Sequence, residues 1–171
     1  MKLLRGDRGV RVLIPALVGV GGALFNMVFV VPLFSSRFSI DFPLLVILYY
    51  SFFEDVPTGI VPVLFLAGMR EALMGGAEGG FFFGSVSLYF GVHLFFEKFF
   101  VESETFLFFV LLSVFAGESV VVSLIRHTVY EFSPPSFYVF GEVVRIVENS
   151  FIAIPLYYSL QRKVRRAVVL P

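Results

Sequence analysis

From Val12 to Phe34 the chain runs 23 residues without a charged side chain. As a helix this run would cover about 35 Å, enough to cross a hydrocarbon core of about 30 Å. Lys2, Arg5, Arg8 and Arg11 precede it, as basic residues precede the apolar stretch of a signal peptide. The run is too long for such a stretch and lacks an A-x-A-like exit, so it reads as a retained first span.

The rest of the chain agrees. Of its 171 residues 58% are hydrophobic and only 15% charged, with a mean hydropathy of +0.92. Soluble domains average about 25% charged residues, so the outside of this protein must face something other than water. The expectation is an all-α integral membrane protein. It would form a single domain, a compact bundle of about six transmembrane helices near residues 12–34, 40–54, 57–74, 79–97, 105–126 and 137–160.

The second and third runs are the weak point. Phe42–Phe53 and Ile60–Met69 are short, and Glu54, Asp55 and Pro57 separate them. Two short helices fit; so does a re-entrant hairpin, which needs its turn buried in protein or wet. Both termini are basic, the second through Arg162, Lys163, Arg165 and Arg166. By the positive-inside rule both are cytoplasmic, which requires an even number of crossings. Six spans, or four plus a hairpin, satisfy that parity, and six is the preferred count. The basic ends could also bind anionic lipid or a cytoplasmic partner; orientation alone is the simpler explanation.

Small residues recur at helical spacing. Gly19, Gly22 and Ala23 give the first span a close-packing face, and Gly68 ends the third run. Gly76, Gly80, Gly84, Ser87 and Gly91 form a G-x-x-x-G-type stripe entering and following the fourth, a pattern that lets helices approach closely. Packing within the bundle is the plainer reading of this stripe, and packing on another protein the sharper one.

Charges inside apolar runs are costly and usually pair within a bundle. With six spans, Glu118 and Arg145 both lie about 12 Å from the outer ends of their helices, and Arg70 and Glu142 within about 8 Å. Glu142, Arg145 and Asn149 share one helical stripe. A buried polar cluster of Arg70, Glu71, Glu118, Glu142, Arg145 and Glu148 is expected in the outer half of the bundle. It could be a proton or substrate path, a socket for a partner's basic residue, or an ion-pair network that sets helix register. Arg145→Ala should then destabilise the fold by leaving Glu118 unpaired.

Catalytic signatures are lacking. There is no cysteine, and His93 and His127 fall on different elements with no H-E-x-x-H. No G-x-S-x-G elbow occurs. The aspartates, Asp7, Asp41 and Asp55, all lie at span ends. Gly75, Gly76, Gly79 and Gly80 lack the Lys-Ser/Thr of a P-loop and read as a hairpin turn. Formal net charge is zero, so nothing favours nucleic acid. No catalytic residue, cofactor or metal is expected.

Gly68 to Gly84 resembles the MreD family of rod shape-determining membrane proteins. The family pattern is Gly-Leu-x-x-Asp-Leu-Leu, a small-residue turn, then Gly opening the next span. Here Gly68 and Met69 stand at the opening, Glu71 at the acidic position, and Ala72-Leu73 at the apolar pair. Gly75 and Gly76 fill the turn, and Gly79 or Gly80 opens the next span. Glu71 replaces the usual Asp, and Arg70 beside it departs from the pattern. Phe42-Pro43 ahead of Tyr49-Tyr50 is also MreD-like.

The resemblance implies a non-enzymatic component of the bacterial cell-elongation machinery in the cytoplasmic membrane. It would bind MreC, a periplasmic coiled-coil protein, alongside MreB, RodA and a penicillin-binding transpeptidase. The implied fold is like the S component of energy-coupling-factor transporters. A vitamin-capturing S component is therefore the alternative, with Gly19 and Ala23 docking the transport partner. An intramembrane enzyme using Glu118 or Glu148 is a third reading.

Overall fold

The computed structural model describes residues 5–30, 32, 40–73, 79–96, 104–130 and 136–169. The regular elements among them are all helical. Helix α1 (Arg5–Phe25) passes into a π-helical turn, Asn26–Val30. There follow α2 (Phe42–Phe53), α3 (Val56–Leu73), α4 (Gly80–Phe96), α5 (Glu104–Tyr130) and α6 (Ser136–Val169).

Helix α2 is the axis of the bundle. Every residue from Pro43 to Ser51 is buried, and the helix packs on α1, α3, α4 and α6. A helix that is apolar all round is one covered on every side. At 12 residues it rises about 18 Å, less than the hydrocarbon thickness, and its burial among neighbours spares it from facing lipid over that length. Asp41 starts it, its side chain accepting the Leu44 N–H at 3.1 Å, and Pro43 sits in the first turn, where a missing N–H does no harm. The Glu54 N–H closes the helix on the Tyr50 carbonyl at 3.1 Å. The chain then turns directly into α3, whose Thr58 and Gly59 amides bond the Asp55 carbonyl.

Two apolar cores flank this axis. Leu44, Leu45, Leu48 and Tyr49 face Leu111 and Phe115 of α5 and Ala153, Tyr157 and Leu160 of α6. Val46, Ile47 and Tyr50 face Val63, Leu66 and Ala67 of α3 and Tyr89 of α4. The Tyr157 hydroxyl donates to the Leu45 carbonyl at 3.0 Å, and the Tyr50 hydroxyl to the Val12 carbonyl, so the buried phenols tie α6 and α1 to α2.

Glycine admits two of the closest approaches. A Cβ on Gly22 would lie 2.4 Å from the Phe42 ring, and one on Gly19 3.1 Å from Leu66. With Ala23 buried as well, the small-residue face of α1 packs inside the bundle. The stripe on α4 behaves differently. Gly84 faces Val122 of α5, but Ser87 and Gly91 are exposed, and a Cβ on Gly91 or Gly68 would meet nothing within 4 Å. Those three positions do not mediate contacts within the bundle. Gly76 lies outside the described residues.

Among the described residues, three helical stretches are long and apolar enough to cross a membrane: Gly9–Val30, Val56–Leu73 and Phe106–Leu124. Their outward faces carry large apolar side chains in the open, Leu17, Phe25, Val61, Phe65, Phe109 and Leu124 among them. A surface of this kind belongs against lipid, and the chain is a membrane-associated helical protein. Two element ends differ from expectation. Helix α5 continues to Tyr130, four residues past the expected end of the fifth span at 126. Helix α6 passes unbroken through Pro155 and runs to Val169, nine residues beyond the apolar run. Gln, Lys, Arg and Ala are good helix formers, so leaving the apolar zone does not end the helix.

Candidate functional site

Four helices converge on one side chain. Arg70, on the last turn of α3, has no solvent exposure. Its Nε donates to Asp41 Oδ2 at 2.7 Å, its Nη1 to Ser85 Oγ on α4 at 2.8 Å, and its Nη2 to Glu118 Oε1 on α5 at 2.7 Å. The guanidinium carbon lies 4.9 Å from the centroid of the Phe81 ring, close enough for a cation–π contact. All three guanidinium nitrogens thus have partners, in the planar fork that suits arginine to buried carboxylates.

The network continues toward α6. Arg145 Nη2 lies 2.7 Å from Glu142 Oε2 and 3.5 Å from Glu118 Oε2. Ser119 Oγ donates to Glu142 Oε2 at 3.0 Å. Asn149 Oδ1 accepts the Asp41 N–H at 2.8 Å, while its Nδ2 donates to the Arg145 carbonyl at 2.8 Å. Burial falls along this chain. The Arg70, Asp41 and Glu118 side chains are 0, 2 and 1% exposed, whereas Arg145 and Glu142 are 16 and 20% exposed. The cluster is a ladder from the bundle interior to the α5–α6 face.

Arg70, Glu118, Glu142 and Arg145 therefore meet, and the expected Glu118–Arg145 pair is present at 3.5 Å, though it is not the closest contact of either residue. Glu118 leans on Arg70, and Arg145 holds Glu142 more closely than Glu118. Glu71 is elsewhere. Its two oxygens accept the Gly79 and Phe82 amides, each at 2.9 Å, so it caps the start of α4. Neighbours on a helix point about 100° apart, and Arg70 and Glu71 cannot both face the interior of one cluster. Gly79 takes the left-handed conformation at φ +74° that the hairpin requires. Glu148 also stays out, its place in the network taken by Asn149; its Oε2 has no hydrogen-bond partner among the described residues.

Asp41, Ser85, Ser119 and the Phe81 ring were not foreseen. Asp41 had a legible signal, an Asp-x-Pro opening an apolar run, but that signal speaks only of a helix start. Ser85 is neutral and small, and nothing in its local sequence marks it.

Three carboxylates, Asp41, Glu118 and Glu142, thus face two guanidiniums, with Ser85, Ser119 and Asn149 supplying neutral hydrogen bonds. Desolvating such charges consumes much of their mutual attraction, so the network contributes more to defining one arrangement than to net stability. It joins α2, α3, α4, α5 and α6 in fixed register. Compared with models of protein families, with curated proteins and with solved structures, the chain matches none.

Proposed function

We propose that this protein is a non-enzymatic membrane scaffold of the MreD type. It would act in the bacterial cell-elongation machinery, in the cytoplasmic membrane, with six crossings, an S-component-like bundle and both termini in the cytoplasm. The observation that carries the reading is the saturation of Arg70. Its three nitrogens are engaged by Asp41, Ser85 and Glu118 within the bundle. A proton carrier or ligand pocket needs polar groups free to change partners, whereas a scaffold needs a bundle that holds one shape. The cap that Glu71 places on α4 supports the same reading. It gives the acidic position of the MreD-like motif a physical role, securing the turn between two helices.

The partner expected from the resemblance is an MreC-like periplasmic coiled-coil protein, with MreB, RodA and a penicillin-binding transpeptidase in the same assembly. Affinity purification of the tagged full chain from its native membrane is the test. Recovery of a periplasmic coiled-coil protein, together with loss of rod shape on depletion, is the expected result. Purification with a stoichiometric bound vitamin and no such partner would instead establish a transporter subunit.

A further inference from the structure

The start of α1 and the end of α6 leave the bundle at the same end. The Val12 carbonyl accepts a hydrogen bond from Tyr50, and Tyr157 packs 5.9 Å from both Tyr49 and Phe53, so both helices are registered on the C-terminal half of α2. The two are also in direct contact. Beyond that level α1 carries Arg8 and Arg11, and α6 carries Arg162, Lys163, Arg165 and Arg166. Glu54 and Asp55, in the α2–α3 turn, are acids at the same end.

Two further observations give this end the form of a site. The first is Arg11. It lies on the α1 turn beside α2, where it acts electrostatically on Tyr49 and Glu54. Its Nε is nevertheless buried with no hydrogen-bond partner among the described residues. A guanidinium N–H withdrawn from water and left without an acceptor is strongly unfavourable, so the position suits an acceptor from outside the chain. The second is the register of α6. Leu160 is buried and Arg162 exposed.

We propose that the adjoining ends of α1 and α6 bind the phosphate headgroup of an anionic phospholipid, with Arg11 at the centre of the site and Arg162 and its neighbours on α6 completing it. A basic segment at the end of a membrane helix gains about fivefold in affinity for anionic lipid with each Lys or Arg near the surface. The tails of the same lipid would lie along the exposed apolar face of α1, where Leu13 and Leu17 are more than half exposed. This goes beyond the scaffold role and is independent of it. Loss of the coiled-coil partner with lipid binding intact would remove the scaffold reading alone.

The test uses the purified full chain in neutral detergent, titrated separately with phosphatidylglycerol, phosphatidylcholine and inorganic phosphate, and read by native mass spectrometry and thermal midpoint. Phosphatidylglycerol should bind preferentially and weaken with salt. Arg11→Gln should bind it about fivefold less tightly, and the pair Arg162→Gln, Lys163→Gln about twenty-five-fold less, from the factor per residue above. Arg11→Lys, which keeps the charge, should retain most of the binding. The double variant alters α6 beyond the buried Leu160 and serves if Arg11→Gln fails to fold. Equal binding of phosphatidylcholine, unchanged affinity in these variants, or displacement of the lipid by millimolar phosphate alone would overturn the proposal.

Discussion

Replacing Arg70 by Met is the most incisive perturbation. The substitution keeps a long unbranched side chain but removes the charge that faces Asp41 and Glu118, each at 2.7 Å and at most 2% exposed. Both carboxylates would remain buried, Glu118 with only Arg145 at 3.5 Å to offset it. Removing one partner of a buried ion pair costs about 3–5 kcal/mol, chiefly because the charge left behind is uncompensated. For a chain of this length that corresponds to a fall of about 6–20 °C in thermal midpoint. Arg145→Ala provides the contrast. Arg145 is 16% exposed, Glu118 keeps Arg70 without it, and Glu142, 20% exposed, keeps water and the Ser119 hydroxyl, so the loss should stay near ~1 kcal/mol, that of a largely solvated pair. Adding Asp41→Asn and Glu118→Gln to Arg70→Met should recover most of the loss, since no buried charge then lacks a partner. Midpoints measured side by side in one detergent decide the matter. If Arg70→Met and Arg145→Ala fell equally, or if the triple variant were worse than the single, the reasoning from buried uncompensated charge would be wrong.

Glu71→Ala leaves the Gly79 and Phe82 amides without their acceptors and should cost about 1 kcal/mol, with faster amide exchange confined to the first turn of α4 as the distinguishing readout. Gly22→Ala places a methyl group 2.4 Å from the Phe42 ring and should lower the midpoint. Gly68→Ala meets nothing within 4 Å and should raise it by up to about 1 kcal/mol equivalent through helix propensity; a reversed order would contradict the packing of α1 on α2. Burial pushes the Glu54 carboxyl above its usual range, with Arg11 pulling it down and Asp55 adding to the rise. A raised folded-state value favours folding most at acidic pH and loses that advantage as pH rises through it. Glu54→Gln should therefore be more stable than the parent at pH 7.5 and indistinguishable near pH 4, and a deficit at pH 7.5 would contradict this.

Much of the architecture is written in single residues. A charge within an apolar run must find a partner, so Arg70, Glu118, Glu142 and Arg145 could be picked out as a cluster from their depth on antiparallel helices alone. The helical class and the membrane-compatible surface follow from long uncharged runs such as residues 12–34, because a helix satisfies the whole backbone of such a segment within itself away from water. What the sequence could not decide was which helix stands in the middle. Phe42–Phe53 has the same composition as a lipid-facing run, and only its neighbours make it the axis. Once α2 is central, its first residue is inside the protein, and Asp41 becomes the counter-charge of Arg70 rather than a solvated helix end. The same holds for the choice of Asn149 over Glu148 and of Arg70 over Glu71. Helical periodicity gives relative direction on one helix, but absolute direction, toward the bundle or away from it, exists only after the helices have packed.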